Sequence, residues 1–277
     1  MTEVLRCGRS ELPLERPLVM GVVNVTPDSF YDGGRHAVAA AAIAHARQLA
    51  GEGADLLDVG GESSRPGAAP VTVEEELARI LPVLEGIADL GVPVSIDTTK
   101  PEVMRTVLAR GAAMINDITA LAAPGALELL VASDAAVCLM HMQGSPRTMQ
   151  ADPTYADVTA EVRDFLGARA ATCIKAGIAH DRIVVDPGFG FGKTVEHNLT
   201  LLARLREIAA LGFPVLAGWS RKSSLGRITG RPADDRLAAS VAAAMLAVQR
   251  GAKIVRVHDV AATRDALAVL AAMEGRA

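Results

Sequence analysis

The stretch Val184-Val185-Asp186-Pro187-Gly188-Phe189-Gly190-Phe191-Gly192-Lys193 sets the pattern for the whole chain. A β-branched run ends in a carboxylate, a proline stops the strand, and three glycines alternate with two aromatics before a helical segment. This is a strand end built as a pocket. Glycines admit close approach by a flat ligand, Phe189 or Phe191 offers a ring face, and Asp186 accepts two hydrogen bonds from an N–H/NH₂ edge. The tripeptide Asp-Pro-Gly taken alone is equally well an ordinary turn. Its spacing fits neither the dinucleotide fingerprint nor the P-loop, which disfavours a phosphate cradle here.

Outward from that stretch the same unit of apolar strand, loop and helix recurs. Residues 18–24, 56–59, 93–97, 113–117, 136–141, 182–186, 214–218 and 253–258 read as buried strands. Helices are expected at 36–52, 73–90, from about 101, from about 124, and at 158–176, 195–211, about 234–250 and 263–273. Eight such units in 277 residues suit a (β/α)₈ TIM barrel, which typically runs to about 250 residues and carries its active site where strands end. An open doubly wound sheet is the competing α/β architecture, but the chain has no linker or break in composition. The expectation is one domain: residues 1–17 as a short arm or hairpin closing one end, residues 18–277 as the barrel.

Composition narrows the function. The chain is 50% hydrophobic and 22% charged, with 28 basic against 32 acidic residues and a net charge of −4. No basic block favours nucleic acid or a membrane surface, so the partners expected are small molecules. Aromatics are only 3%, which makes Phe30, Phe189, Phe191 and Trp219, all beside glycine or serine, conspicuous. Cys7, Cys138 and Cys173 share no short spacing and read as reduced, buried thiols. No long apolar span or signal sequence is evident, which makes the cytoplasm the expected compartment.

Nearly every strand ends in a polar residue: Asn24, Asp58, Asp97, Asn116, His141, Asp186, Arg256. Asp58, Asp117 and His141 read most simply as caps or satisfied core groups. In a barrel, however, Asp97, Asn116, Asp186 and Lys222 converge on one mouth, where two carboxylates, an amide and an ammonium suit the edges of a heterocycle. Lys222 also admits a Schiff-base reading, weakened by its place beyond the strand in a Ser-Arg-Lys-Ser turn. Arg65, Arg256 and His258 suit an anion such as pyrophosphate, and Asn24 an oxygen ligand to Mg²⁺ bound mainly by substrate phosphates. For Arg256 the simpler alternative is a pairing with a carboxylate.

The motifs Asn24-Val25-Thr26-Pro27-Asp28-Ser29-Phe30, Gly60-Gly61-Glu62-Ser63-Ser64-Arg65-Pro66-Gly67, Ser95-Ile96-Asp97-Thr98, Ile115-Asn116-Asp117, Asp186 to Lys193, Ser220-Arg221-Lys222 and Arg256-Val257-His258-Asp259 occur in that order from about Val19 to His258. Together they resemble the bacterial dihydropteroate synthases, of the pterin-binding barrel family. The resemblance implies transfer of the dihydropterin-6-ylmethyl group from 6-hydroxymethyl-7,8-dihydropterin pyrophosphate to 4-aminobenzoate, dependence on Mg²⁺, a homodimer, and inhibition by sulfonamides.

Carried over by position, it implies that Asp97, Asn116, Asp186 and Lys222 hold the pterin, lined by Met140 and Phe191. Asn24 meets the metal, and Ser64, Arg65, Arg256 and His258 take the pyrophosphate side. Phe30, Pro66, Lys222 and Ser223 border the aminobenzoate, Thr26 joins the substrate-binding set, and Arg65, Lys222, Arg256 and His258 form the catalytic set. Two positions depart from the family pattern: Trp219 stands where a smaller residue is expected, and Ile118-Thr119-Ala120-Leu121 replaces a Val-Ser-Gly type of continuation. They keep two alternatives open, a catalytically silent pterin-binding paralogue and a pterin-dependent methyltransferase barrel. The second is disfavoured because a methyl donor has no pyrophosphate for Arg65, Arg256 and His258.

Overall fold

A computed structural model describes residues 3–25, 35–63 and 67–275, apart from the side chains of Arg35 and His36. The chain opens with an antiparallel hairpin, β1 (Val4–Cys7) and β2 (Ser10–Pro13). The strands β3 (Leu18–Asn24), β4 (Leu56–Gly60), β5 (Val94–Asp97), β6 (Met114–Asp117), β7 (Ala136–Met140), β8 (Ile183–Asp186), β9 (Val215–Ala217) and β10 (Ala252–Val257) follow. They pair in parallel, each with its neighbour in the chain, and β10 pairs with β3 to close the barrel. The expected TIM barrel is therefore what the chain forms.

Among the described residues ten α-helices cover the outside: α1 (Arg35–Gly51), α2 (Val73–Gly86), α3 (Pro101–Ala109), α4 (Ala126–Val131), α5 (Val158–Ala176), α6 (Val195–Ala203), α7 (Leu205–Ala209), α8 (Ser223–Thr229), α9 (Leu237–Gln249) and α10 (Val260–Glu274). Local chemistry sets several boundaries. Thr72 and Glu75 form a capping box at the start of α2. The Asp157 carboxylate accepts from the N–H groups of Thr159 and Ala160 to start α5, which stops at Gly177 with φ 115°. The helix expected over 195–211 is divided at Arg204, and α8 was not anticipated.

Alternation along each strand sorts its side chains. Val19, Val23, Leu57, Val59, Ile96, Ile115, Val137, Leu139, Val255 and Val257 face outward into the aliphatic layer under the helices. Leu18, Met20, Leu56, Met114, Ala136, Cys138, Val184, Leu216 and Ile254 face inward and fill the barrel, joined from below by Leu5, Cys7 and Leu14 of the N-terminal segment. The hairpin thus plugs the end opposite the strand C-termini; the Cys7 thiol donates to the Ala113 carbonyl at 3.3 Å and the Gly8 N–H to that of Asp134. All three cysteines are buried free thiols.

Candidate active site

Above that apolar filling the inward positions turn polar. Register sets them at neighbouring heights: Gly60 lies opposite Asn24 and Asp97, Asp97 opposite Asn116, Asn116 opposite Cys138, and Met140 opposite Asp186. Lower along the strands, Asp58 lies opposite Val22 and Arg256 opposite Met20. Convergence follows from the strands alone.

Arg256 organises one side of the mouth. Its Nε donates to Asp58 Oδ2 at 2.6 Å and its NH2 nitrogen to Asp97 Oδ2 at 3.1 Å. Asn116 Nδ2 donates to the same Asp58 oxygen at 3.1 Å, while Asp58 Oδ1 is buried without a partner among the described residues. Burial opposes the charge on Arg256, but Asp58 and Asp97 outweigh it and hold its pKa above the ordinary value. Burial, aided by the Asp58 charge and opposed by Arg256, pushes the Asp97 carboxyl up. The alternative that paired Arg256 with a carboxylate is thus what the site contains. Asp58, read from sequence as a cap or core group, is the fully buried anchor of that pair. Its place as the polar residue within the apolar run Leu56-Leu57-Asp58-Val59 was the available signal that it faces inward.

Across the mouth stand Asp186 and Lys222. Asp186 Oδ1 accepts from the Gly188 N–H at 2.7 Å, and burial raises the carboxyl pKa against the pull of Lys222. Burial lowers the Lys222 ammonium to about 8 against the pull of Asp186. Its Nζ donates to the Phe189 carbonyl and lies 4.7 Å from the centre of the Phe191 ring. The lysine follows Arg221, whose φ of 58° is strained for a residue with a side chain. That turn is held by Ser240 Oγ on the Arg221 N–H, by Asp259 on its guanidinium, and by Arg236 on its carbonyl.

The loop from Gly188 to Gly192 has a different construction from the one its glycines implied. A Cβ at Gly188 would meet the His141 carbonyl oxygen at 1.9 Å, one at Gly192 the Gln143 oxygen at 2.6 Å, and one at Gly190 the Lys222 stem at 3.0 Å. The glycines make room for protein. All five carbonyls of the loop are taken: Gly188 and Phe191 by Lys193 Nζ, each at 3.0 Å, Phe189 by Lys222, Gly190 by Gln150 at 2.6 Å and Gly192 by the Tyr155 hydroxyl at 2.7 Å. Lys193 is buried and also lies 3.0 Å from His141 Nδ1. His141 is a satisfied core group, as expected, and Asp117 is too, accepting from the N–H groups of Thr119 and Leu121. Phe189 packs away from the mouth against Trp219, with ring centroids 4.8 Å apart; the large residue therefore thickens the wall behind the site.

His258 Nδ1 lies 2.9 Å from Ser220 Oγ, which also accepts from the His258 N–H. Ser223 is exposed at the start of α8, and Met140 is buried beside Asp186. Asn24 is half-buried at the end of β3. A cleft of about 320 Å³ continues the mouth past Asp97, lined by Thr98, Ile118, Thr119 and Arg147. Thr26, Phe30, Ser64, Arg65 and Pro66 lie outside the described residues.

A family model described as "Pterin binding enzyme" matches residues 20–258. The dihydropteroate synthase of Neisseria meningitidis serogroup C is 55% identical over 269 residues, covering 95% of each chain. Among solved structures, Xanthomonas albilineans dihydropteroate synthase with 4-aminobenzoic acid superposes with TM-score 0.94 at 54% identity, covering 99% of both chains. The chain belongs to the dihydropteroate synthases. Burkholderia cenocepacia dihydropteroate synthase complexed with 7,8-dihydropteroate is also similar, with TM-score 0.90 and 52% identity over 99% of this chain and 98% of that one. As a dihydropteroate synthase the chain is a transferase that joins the dihydropterin-6-ylmethyl group to 4-aminobenzoate and releases pyrophosphate. Among the described residues no helix is long and apolar enough to cross a membrane.

Proposed function

We propose that the mouth divides this reaction between two walls. Asp186, Lys222 and Asn116, with Asp97, take the hydrogen-bonding edges of the pterin, and Met140 and Phe191 line it. Arg256 and His258, with Ser64 and Arg65, take the pyrophosphate, while Phe30, Pro66, Lys222 and Ser223 border the aminobenzoate and Thr26 contributes to substrate binding. The observation that carries the reading is a buried carboxylate, Asp186, and a half-buried ammonium, Lys222, that attract each other at the rim of a polar mouth above an apolar floor. Such a pair offers one acceptor and one donor to a planar nitrogen heterocycle with most of their desolvation already borne.

Mg²⁺ suits this donor set in a limited way. No cluster of three His, Cys, Asp or Glu able to hold a metal occurs among the described residues, so protein ligation would rest on the neutral oxygen of Asn24, and substrate phosphates would complete the shell. When bound, the ion supplies positive charge to the leaving pyrophosphate. The chain's own part is binding and charge stabilisation. As the C–O bond to pyrophosphate breaks, the electron pair leaves with the phosphate and positive charge develops on the methylene; it spreads into the pterin ring, whose hydrogen-bonding edges Asp97 and Asp186 hold. The aniline nitrogen then forms the new C–N bond and loses a proton. An aniline is unprotonated at neutral pH, so the step calls for no buried general base.

The finer reading includes a homodimer acting in the cytoplasm. Supporting the dimer, Ile228 on α8, Leu237 and Leu246 on α9, and Val269 and Met273 on α10 are large apolar side chains exposed on helices that pack side by side. Light scattering checks the dimer, with a monomer at micromolar concentration refuting it. The activity is tested by mass-spectrometric detection of dihydropteroate with and without Mg²⁺. Asp186→Asn tests the pterin wall: it turns an acceptor into a donor at a cost of about 2 kcal/mol and weakens a pterin about thirtyfold in calorimetry. Unchanged affinity would remove Asp186 from the pocket.

A further inference from the structure

We infer that Lys193 is a positioning residue for pterin recognition: its ammonium fixes the Gly188–Gly192 backbone so that the Phe189 carbonyl and the Phe191 ring hold Lys222 toward the pterin seat. The inference rests on the proposed role of Asp186 and Lys222. Lys193 itself lies beneath the loop, 3% exposed, and nothing places it against substrate.

Glycine at three alternate positions gives this loop positive φ at Gly188, Gly190 and Gly192, a backbone with no regular hydrogen-bond ladder. Left to itself, such a loop samples many conformations, and its carbonyls would seek water. Lys193 supplies what the glycines remove. Its ammonium has three donors, and His141 Nδ1 and the carbonyls of Gly188 and Phe191 lie at 3.0 Å from it. The imidazole suits this arrangement, because burial first and the Lys193 charge second keep His141 neutral, with a pKa lowered to about 3. The same ammonium reaches the His141 carbonyl at 3.4 Å and so ties the end of β7 to the loop after β8.

The two carbonyls it holds flank Phe189, whose own carbonyl receives Lys222, and Phe191, whose ring lies under Lys222. Lys193 therefore acts one step removed from the ligand. A buried ammonium is costly, and a methionine would fill the same space in an apolar setting. Burial lowers the Lys193 ammonium to about 7, and what favours its charged form is the Asp186 charge together with the converging carbonyls. Gln150 and Tyr155 hold the intervening carbonyls from the outside, which makes them milder handles on the same element.

The test uses the full chain. Lys193→Met is expected to raise the KM for the dihydropterin pyrophosphate about tenfold, roughly the effect of misplacing one charge-assisted hydrogen bond, and to raise the KM for 4-aminobenzoate, which Lys222 only borders, by a clearly smaller factor. Calorimetry with 6-hydroxymethylpterin should show the same factor, and Tyr155→Phe a smaller loss in the same ligand only. Unchanged pterin affinity in folded Lys193→Met, or equal loss for both substrates, overturns the inference. If Lys193→Met fails to fold, the double variant Tyr155→Phe/Gln150→Ala decides by the same split: pterin-selective loss supports the inference and unchanged affinity overturns it. Asp186→Asn measured in parallel separates the two levels. If Asp186→Asn leaves pterin binding intact, the underlying reading fails; if it weakens binding while Lys193→Met does not, only this inference fails.

Discussion

The guanidinium of Arg256 donates to both Asp58 and Asp97, so Arg256→Ala strips two carboxylates of their shared counter-charge. Breaking a buried pair costs about 3 kcal/mol, and with Asp97 assigned to the pterin the variant should weaken pterin as well as pyrophosphate binding. Thermal denaturation together with calorimetry on each ligand checks this; loss of pyrophosphate affinity alone would show that Asp97 keeps its place without the arginine. His141 gives a pH dependence with a definite sign. Its pKa is depressed to about 3 in the fold, against about 6.5 unfolded, so the unfolded chain binds the extra proton in between. Stability from the neutral imidazole is complete above about pH 6.5 and is lost as pH falls toward 3, by at most about 1.4 kcal/mol per pH unit. His141→Gln should flatten that part of the Tm–pH curve. Residue types at strand ends were legible in the sequence because alternation in a barrel forces them inward. Partners were not: Asp58, Lys193 and Gln150 come within reach of their targets only through neighbouring strands and loops.

At the level of elements, strands were read almost to the residue, since each is a short apolar run closed by a polar side chain. Short helices were less legible. In α8, Ser-Ser-Leu-Gly-Arg-Ile-Thr offers little periodicity, and Gly226 breaks the pattern for a tertiary reason: a Cβ there would stand 2.1 Å from an Arg236 guanidinium nitrogen. That guanidinium holds the Arg221 carbonyl at 2.9 Å, so Gly226→Ala should displace it from the Lys222 turn. The expected cost is about 1–2 kcal/mol, a lost charge-assisted bond less the helix propensity gained, with weaker pterin binding. A Tm at or above that of the parent would show that Arg236 adapts. After β6 the unusual Ala120 has φ 54°, where glycine is at ease, and Arg169 braces it by donating to its carbonyl at 2.6 and 2.9 Å. Ala120→Gly should therefore stabilise the chain by about 0.5–1 kcal/mol, relief of strain less the entropy of glycine. A lower Tm would locate the strain elsewhere.

For the whole molecule, eight repeats and a polar rim specify a closed barrel with its chemistry at one end, and both are readable in the sequence. What the N-terminal hairpin does was readable only as a closing arm. Leu5, Cys7 and Leu14 complete the apolar filling beneath Asp58 and Arg256, and this has a kinetic consequence. A barrel filled from the bottom leaves the strand C-terminal end as the face from which ligands reach the site. With the pterin seated between Asp186 and Asn116 as proposed, its entry before the other ligands and its exit after them are the expected order. Dihydropteroate should accordingly compete with the pterin substrate for the empty enzyme, and pyrophosphate should be the first product to leave, an order that initial-rate product inhibition will reveal.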